Sequence, residues 1–255
     1  MNIVALSLRT VPDVELGRRL LGNPQEMAQL SDADVAKVMW LKQDQTLGKQ
    51  AECLDLHLQK IVALSLLHRT GEGCRLESHC FPDENEETTL RSFFAMLHFN
   101  PTLLSWDANQ FELPLIQYRS LLYPLDARMY WEHYHTGIHR HPALGERHRA
   151  LSPLLSCYRA ENTAPLEEIA AMLGIPLSAR LTQDQLWQHY LQQQMEAIRT
   201  DCALDAVRIY CIYMRFQRLR GELSHTAYDI ECQHMQSALQ QIGQTHVQVY
   251  DGHSI

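Results

Sequence analysis

Residues 3–13 read Ile3-Val4-Ala5-Leu6-Ser7-Leu8-Arg9-Thr10-Val11-Pro12-Asp13, and the fold assignment turns on them. The apolar run Ile3 to Leu8, ended by Thr10 and Pro12, predicts a buried strand. Successive side chains on a strand point to opposite faces, so Ser7 and Arg9 share one face and Leu6 and Leu8 the other. A second apolar run, Lys60 to Leu67, predicts another strand. The turn Gly71-Glu72-Gly73 returns it to a third near 74–80, as a hairpin. Pro101 to Trp106 predicts a fourth strand.

Helical patterns lie between and after these strands. Ser31 is placed to cap a helix through Val35, Val38, Met39 and Leu41, with Asp32 and Asp34 in its first turn. Acidic residues from Asp83 to Glu87 lead a helix carrying Leu90, Phe93, Phe94 and Leu97, and another pattern runs from Phe111 to Leu122. Residues 123–150 are rich in Tyr, His and Pro and are expected to be irregular. From Pro165 onward, helices are expected near 165–173, 183–199, 201–220 and 224–242. Strands interleaved with helices, followed by a helical second half, predict an α/β fold with a mixed sheet flanked by helices. One domain is expected over 1–242, with a loose tail at 243–255.

The chain has 255 residues and a formal net charge of −8, which argues against indiscriminate phosphate binding but leaves room for a local basic groove. No window reaches the roughly 18 apolar residues of a membrane span. Arg9 and Pro12 interrupt the N-terminal apolar run too early for a signal peptide. The seven cysteines are scattered and form no C-x-x-C pair, so reduced, mostly buried thiols and a cytoplasmic protein are expected. No G-x-G-x-x-G or P-loop pattern supports a dinucleotide or nucleoside-triphosphate enzyme.

Two groups of side chains carry potential chemistry. His133, His135, His139, His141 and His148 have imidazoles that can ligate zinc, but no cysteine accompanies them and a polar surface loop is the better reading. Carboxylates form the second group. Asp107 and Glu112 lie at a strand-to-helix junction, and Asp201 and Asp205, four apart, share a helix face. Taken singly, each acid reads as a helix-terminus carboxylate.

The order of the segments is similar to that of the predicted 3′–5′ exonucleases related to the proofreading domain of B-family DNA polymerases. These belong to the DnaQ-like, RNase H-like group with a DEDD set of acids. The resemblance runs through Thr10-Val11-Pro12-Asp13, Leu104-Ser105-Trp106, Phe111-Glu112-Leu113-Pro114, Tyr118-Arg119-Ser120-Leu121, Ala164-Pro165-Leu166-Glu167-Glu168 and Leu173-Gly174-Ile175-Pro176. It ends in the stretch from Ile198 to Phe216 that contains Asp205. It implies an RNase H-like fold and a site where carboxylates hold two Mg²⁺ or Mn²⁺ ions around an activated water.

The departures from that pattern fall on the acids. The family's first strand carries Asp-x-Glu directly before Thr-Val-Pro-Asp, and Ser7 and Arg9 stand there in this chain. Glu112 replaces the aspartate of the second motif. In the third, Asp205 matches the acid while Asp201 occupies a tyrosine position. The exchange to Ser7 and Arg9 moves the local formal charge from −2 to +1. Arg9 is expected to pair with Glu112 and Asp205 as a fixed internal cation.

The expectation is therefore a degenerate exonuclease-like protein with no metal cofactor. It would bind single-stranded DNA or RNA, or a protein partner, with Trp106, Phe111, Arg119 and Arg215 as candidate nucleic-acid contacts. The alternative is an active exonuclease working with Mg²⁺ or Mn²⁺ on Glu112, Asp205 and either Asp107 or Asp201.

Overall fold

The computed structural model describes residues 2–49, 53–108, 110–135, 147–175 and 180–241. Five strands form one mixed sheet in the order β3-β2-β1-β4-β5. They are β1 (Ile3–Pro12), β2 (Gln59–Thr70), β3 (Gly73–Cys80), β4 (Thr102–Ser105) and β5 (His148–Ala150). β2 runs antiparallel to both β1 and β3, whereas β4 is parallel to β1 and to β5. This is the RNase H-like α/β arrangement anticipated above.

β1 is the central strand, and all ten of its residues are buried, as expected for a strand covered on both faces. It continues past Leu8 through Pro12, with a register shift between Arg9 and Thr10. The shift is a β-bulge whose extra residue, Val62, lies on the partner strand β2.

The two faces of the sheet bury different helices. Val4, Leu6 and Leu8, joined by Leu64, Leu66 and Leu103, pack against α3 (Glu86–Met96) and α4 (Glu112–Ser120) through Leu90, Phe93, Leu113 and Ile116. Ile3 and Ala5, with Leu67 and Leu104, pack against α7 (Met195–Leu219) through Leu204, Val207 and Tyr210. Each fully buried Leu or Phe contributes roughly 1.5–3 kcal/mol. α7 is buried almost all round from Asp201 to Met214, because α5 (Leu166–Met172), α6 (Gln183–Leu191) and α8 (His225–Gln241) pack around it.

At the far end of β1, Asp13 caps α1 (Val14–Leu20) by accepting a hydrogen bond from the Leu16 amide at 3.1 Å. α1 packs on α2 (Asp32–Leu47), whose N-cap is Ser31. The contact is close at Gly17, where a Cβ would meet Met39 Sδ at 2.5 Å.

Three expectations need correction. The segment 123–150 is not wholly irregular, since His148–Ala150 extends the sheet as β5. Three residues reading His-Arg-Ala are too short and too polar to show strand periodicity. The helices expected at 183–199 and 201–220 divide elsewhere. α6 stops at Leu191, Gln193 adopts φ 58°, and α7 begins at Met195 and runs through Thr200. α1 was not anticipated, because its seven residues give little periodic signal. The proposed tail, 243–255, lies outside the described residues.

Candidate functional site around Arg9

The end of β1, opposite the bulge in β2, meets the N-terminal half of α7. Ser7 and Arg9 point from the same face as Ile3 and Ala5, and Asp201 and Asp205, one helical turn apart, point back at them. Arg9 fills the space between the two acids. Its Nε donates to Asp201 Oδ2 at 2.5 Å and its Nη2 to Asp205 Oδ2 at 2.6 Å. Nη2 also donates to the Asp201 carbonyl at 3.2 Å, and Nη1 to Ser7 Oγ at 3.2 Å and the Leu8 carbonyl at 3.0 Å. The guanidinium is 3% exposed, so this is an internal ion pair.

Two further arginines close on Asp205. Arg208, one turn along α7, donates from Nη1 to Oδ1 at 2.5 Å, and Arg180 places Nε 2.9 Å from Oδ2. Asp201 also accepts a hydrogen bond from the Leu181 amide at 2.9 Å. The immediate shell thus holds three guanidinium groups against two carboxylates. Burial by itself would push the Asp205 carboxyl up, but the charges of Arg9, Arg180 and Arg208 outweigh it and hold the pKa below the usual range. For Arg9, burial disfavours the cation, and the neighbouring carboxylates, led by Asp205, raise its pKa above the ordinary value regardless.

These residues do not fit a divalent metal. Mg²⁺ requires several oxygen ligands in near-octahedral array. Here Asp201 and Asp205 already have guanidinium and amide donors on both oxygens, and a cation stands where a ligand of the first strand would be. Among the described residues no group of three or more His, Cys, Asp or Glu side chains is arranged to hold a metal ion.

Glu112 departs from expectation. It is buried at the start of α4, where Oε1 accepts from the Trp106 amide at 3.1 Å and the Asp107 amide at 3.3 Å, so it caps the end of β4. Arg9 pairs with Asp201 and Asp205 rather than with Glu112. Glu112 Oε2 is buried without a hydrogen-bond partner. Burial pushes the Glu112 carboxyl up to about 7, and it raises that of half-buried Asp107 as well. A proton on the orphaned oxygen removes the cost of a buried, unpaired charge.

The four candidate nucleic-acid contacts do not converge on one groove. Trp106 packs against the core on the α7 side of the sheet, and Phe111 against the core on the α3–α4 side. Arg119 is buried and committed: Nη1 donates to Asp13 Oδ2 at 2.6 Å, while Nε and Nη2 grip Glu86 at 2.8 and 2.7 Å. Arg215 and Arg218 lie over the Tyr228 ring at 5.1 and 5.2 Å, and Arg220 pairs with Glu222 at 2.5 Å.

The histidine group also separates. His133 lies on a helical turn, Trp131–His135, and His139 and His141 fall outside the described residues. His148 is not on a surface loop. Its Nε2 shares a 2.8 Å hydrogen bond with Ser105 Oγ across β4 and β5, and burial pushes its pKa down to about 3.

Sequence reasoning missed Arg180. It stands alone before the Thr182 cap of α6, and no pattern around it marks it as a partner of Asp205. The role of Arg208 was more accessible, since i, i+3 spacing from Asp205 on a helix predicts contact.

The fold, with β1 facing the acid-bearing helix α7, defines an exonuclease-like α/β protein. The chain belongs to the family described as predicted 3′-5′ exonucleases related to the exonuclease domain of PolB, whose family model matches residues 51–254. The matched region contains Glu112, Asp201 and Asp205, and it begins downstream of β1. No curated protein matches the chain.

Proposed function

We propose that this protein is a non-catalytic member of the exonuclease-like family, acting as a binding subunit rather than a hydrolase. The observation that carries the proposal is Arg9, buried between Asp201 and Asp205 with all three guanidinium nitrogens engaged. A two-metal hydrolase needs carboxylates free to take up cations. Here a covalently attached cation supplies the neutralising charge, and it cannot activate water. Replacing an exchangeable metal by a side chain keeps the acids stable in the folded state while removing the Lewis acid.

The arginines of α7 bear on the choice of partner. Arg208, Arg215, Arg218 and Arg220 are engaged with acids or aromatic rings of the same chain. Together with the −8 net charge, this favours a narrow contact over an extended phosphate-tracking groove.

The test is a nuclease assay on single-stranded DNA and RNA with Mg²⁺ or Mn²⁺, comparing the natural chain with Ser7→Asp plus Arg9→Glu. The natural chain is expected to leave both substrates intact. Metal-dependent shortening by the natural chain, abolished in Asp205→Ala, would overturn the proposal.

A further inference from the structure

Next to the arginine cluster is a cavity of about 270 Å³, whose lining includes Arg9, Thr10, Phe111, Glu167, Arg180 and Thr182. Its floor and its wall differ in what they can offer a ligand. Arg9 forms the floor, and its donors are used within the fold. Thr10 and Gln183 are also committed: the Thr10 hydroxyl donates to Gln59, and Gln183 Nε2 donates to the Thr10 carbonyl at 3.2 Å. The amide edge of α6 is largely closed by its capping box, in which Thr182 Oγ1 accepts from the Gln185 amide and Gln185 Oε1 from the Thr182 amide.

Arg180 is different. Asp205 fixes its inner edge through Nε at 2.9 Å, which orients a planar fork without using its outer nitrogens. Nη1 has one weak contact, Glu167 Oε2 at 3.4 Å, made by side chains 38% and 45% exposed. Nη2 has no partner among the described residues. The Thr182 hydroxyl accepts a hydrogen bond and retains its own proton to donate. Arg9, Arg180 and Arg208 stand against Asp201 and Asp205, and the half-exposed Glu167, which also lines the cavity, is the carboxylate a ligand would compete with for Arg180.

We propose that the cavity is an oxyanion site, taking a phosphate group, as the free ion or as a terminal monoester, directly on the outer edge of Arg180 without a metal ion. The proposal rests on the reading that Arg9 has displaced the metals: the place where cations would be collected then presents a cation instead. Guanidinium binds phosphate bidentately in this geometry. The Thr182 hydroxyl supplies a second donor, and the ring of half-buried Phe111 forms an apolar wall. The volume admits inorganic phosphate or a single terminal phosphorylated residue of a longer strand, and not a stacked run of bases.

Isothermal titration with inorganic phosphate, and with a short single-stranded oligonucleotide carrying either a terminal phosphate or a hydroxyl, tests this in EDTA. One equivalent of phosphate is expected to bind, with affinity reduced at least tenfold in Arg180→Gln. Removing the competing carboxylate in Glu167→Gln is expected to tighten binding severalfold, an improvement that a damaged fold would not produce. Preference for the phosphorylated oligonucleotide over its hydroxyl form identifies a strand end as the source. Equal affinity of the two oligonucleotides, with inorganic phosphate still bound, identifies the free ion. No phosphate binding, or binding unchanged in Arg180→Gln, overturns the oxyanion site. Metal-dependent strand shortening by the natural chain would overturn the non-catalytic reading beneath it, and the two failures are distinguishable.

Discussion

Replacing Arg9 by methionine keeps an unbranched apolar stem and removes the guanidinium with its charge and its donors. Asp205 would retain Arg180 and Arg208, at 2.9 and 2.5 Å. Asp201 would keep the Leu181 amide and lose its only ion-pair partner among the described residues, while being 5% exposed. Truncating one partner of a buried ion pair costs about 3–5 kcal/mol, because the remaining charge stays desolvated. With a urea dependence of about 3 kcal/mol/M for a chain of this size, the unfolding midpoint should fall by roughly 1–1.7 M.

The assay is urea denaturation at pH 7 of the natural chain, Arg9→Met, Asp201→Asn and the double variant. Neutralising Asp201 in the Arg9→Met background should recover part of the loss, giving a coupling energy of about 1–3 kcal/mol. A cost for Arg9→Met below about 1 kcal/mol would refute the internal-cation argument. Strict additivity in the cycle would do so as well, since Arg9 would then not be neutralising Asp201.

Other expectations follow from the same contacts. The Glu112 carboxyl rises from an ordinary value near 4.5 to about 7 on folding, so its protonated form favours the folded state. That contribution is fully present below pH 4.5 and is lost as pH rises through 7, a difference of about 3 kcal/mol. Glu112→Gln should therefore gain stability relative to the natural chain between pH 5 and 8, measured by denaturation at each pH; a constant offset across that range would contradict it. Elsewhere, Glu231 on α8 accepts from Nε and Nη2 of Arg69, on β2, at 2.7 Å each and from Tyr210 OH at 2.7 Å. Glu231→Ala should cost about 3–5 kcal/mol in urea unfolding by leaving the Arg69 charge buried. Tyr210→Phe, which leaves the ion pair intact, should cost about 1 kcal/mol.

Much of this protein was legible in the chain itself. Ile3 to Leu8, Lys60 to Leu67 and the Gly71–Gly73 turn specify strands and a hairpin through local periodicity and turn chemistry, and the structure has them in place. Ser31 and the Asp83–Glu87 run mark helix starts through capping and dipole effects, which act within a few residues. These signals need no knowledge of the distant chain. The resemblance to the exonuclease family singled out Ser7, Arg9, Asp201 and Asp205, and strand and helix periodicities added which of them share a face.

Tertiary structure decided what those side chains do. Arg9 and Asp201 are 192 residues apart, and their contact exists only because α7 crosses β1 at the bulge. No local pattern could assign Arg9 to Asp201 rather than Glu112, or recruit Arg180 from the approach to α6. The same holds for Arg119, whose burial against Asp13 and Glu86 comes from the packing of α4 against neighbouring elements. Periodicity fixes the face on which a charge stands. Which charge it meets, and whether water is excluded from the pair, depends on how elements far apart in sequence pack, and that sets the energy of the ion pair.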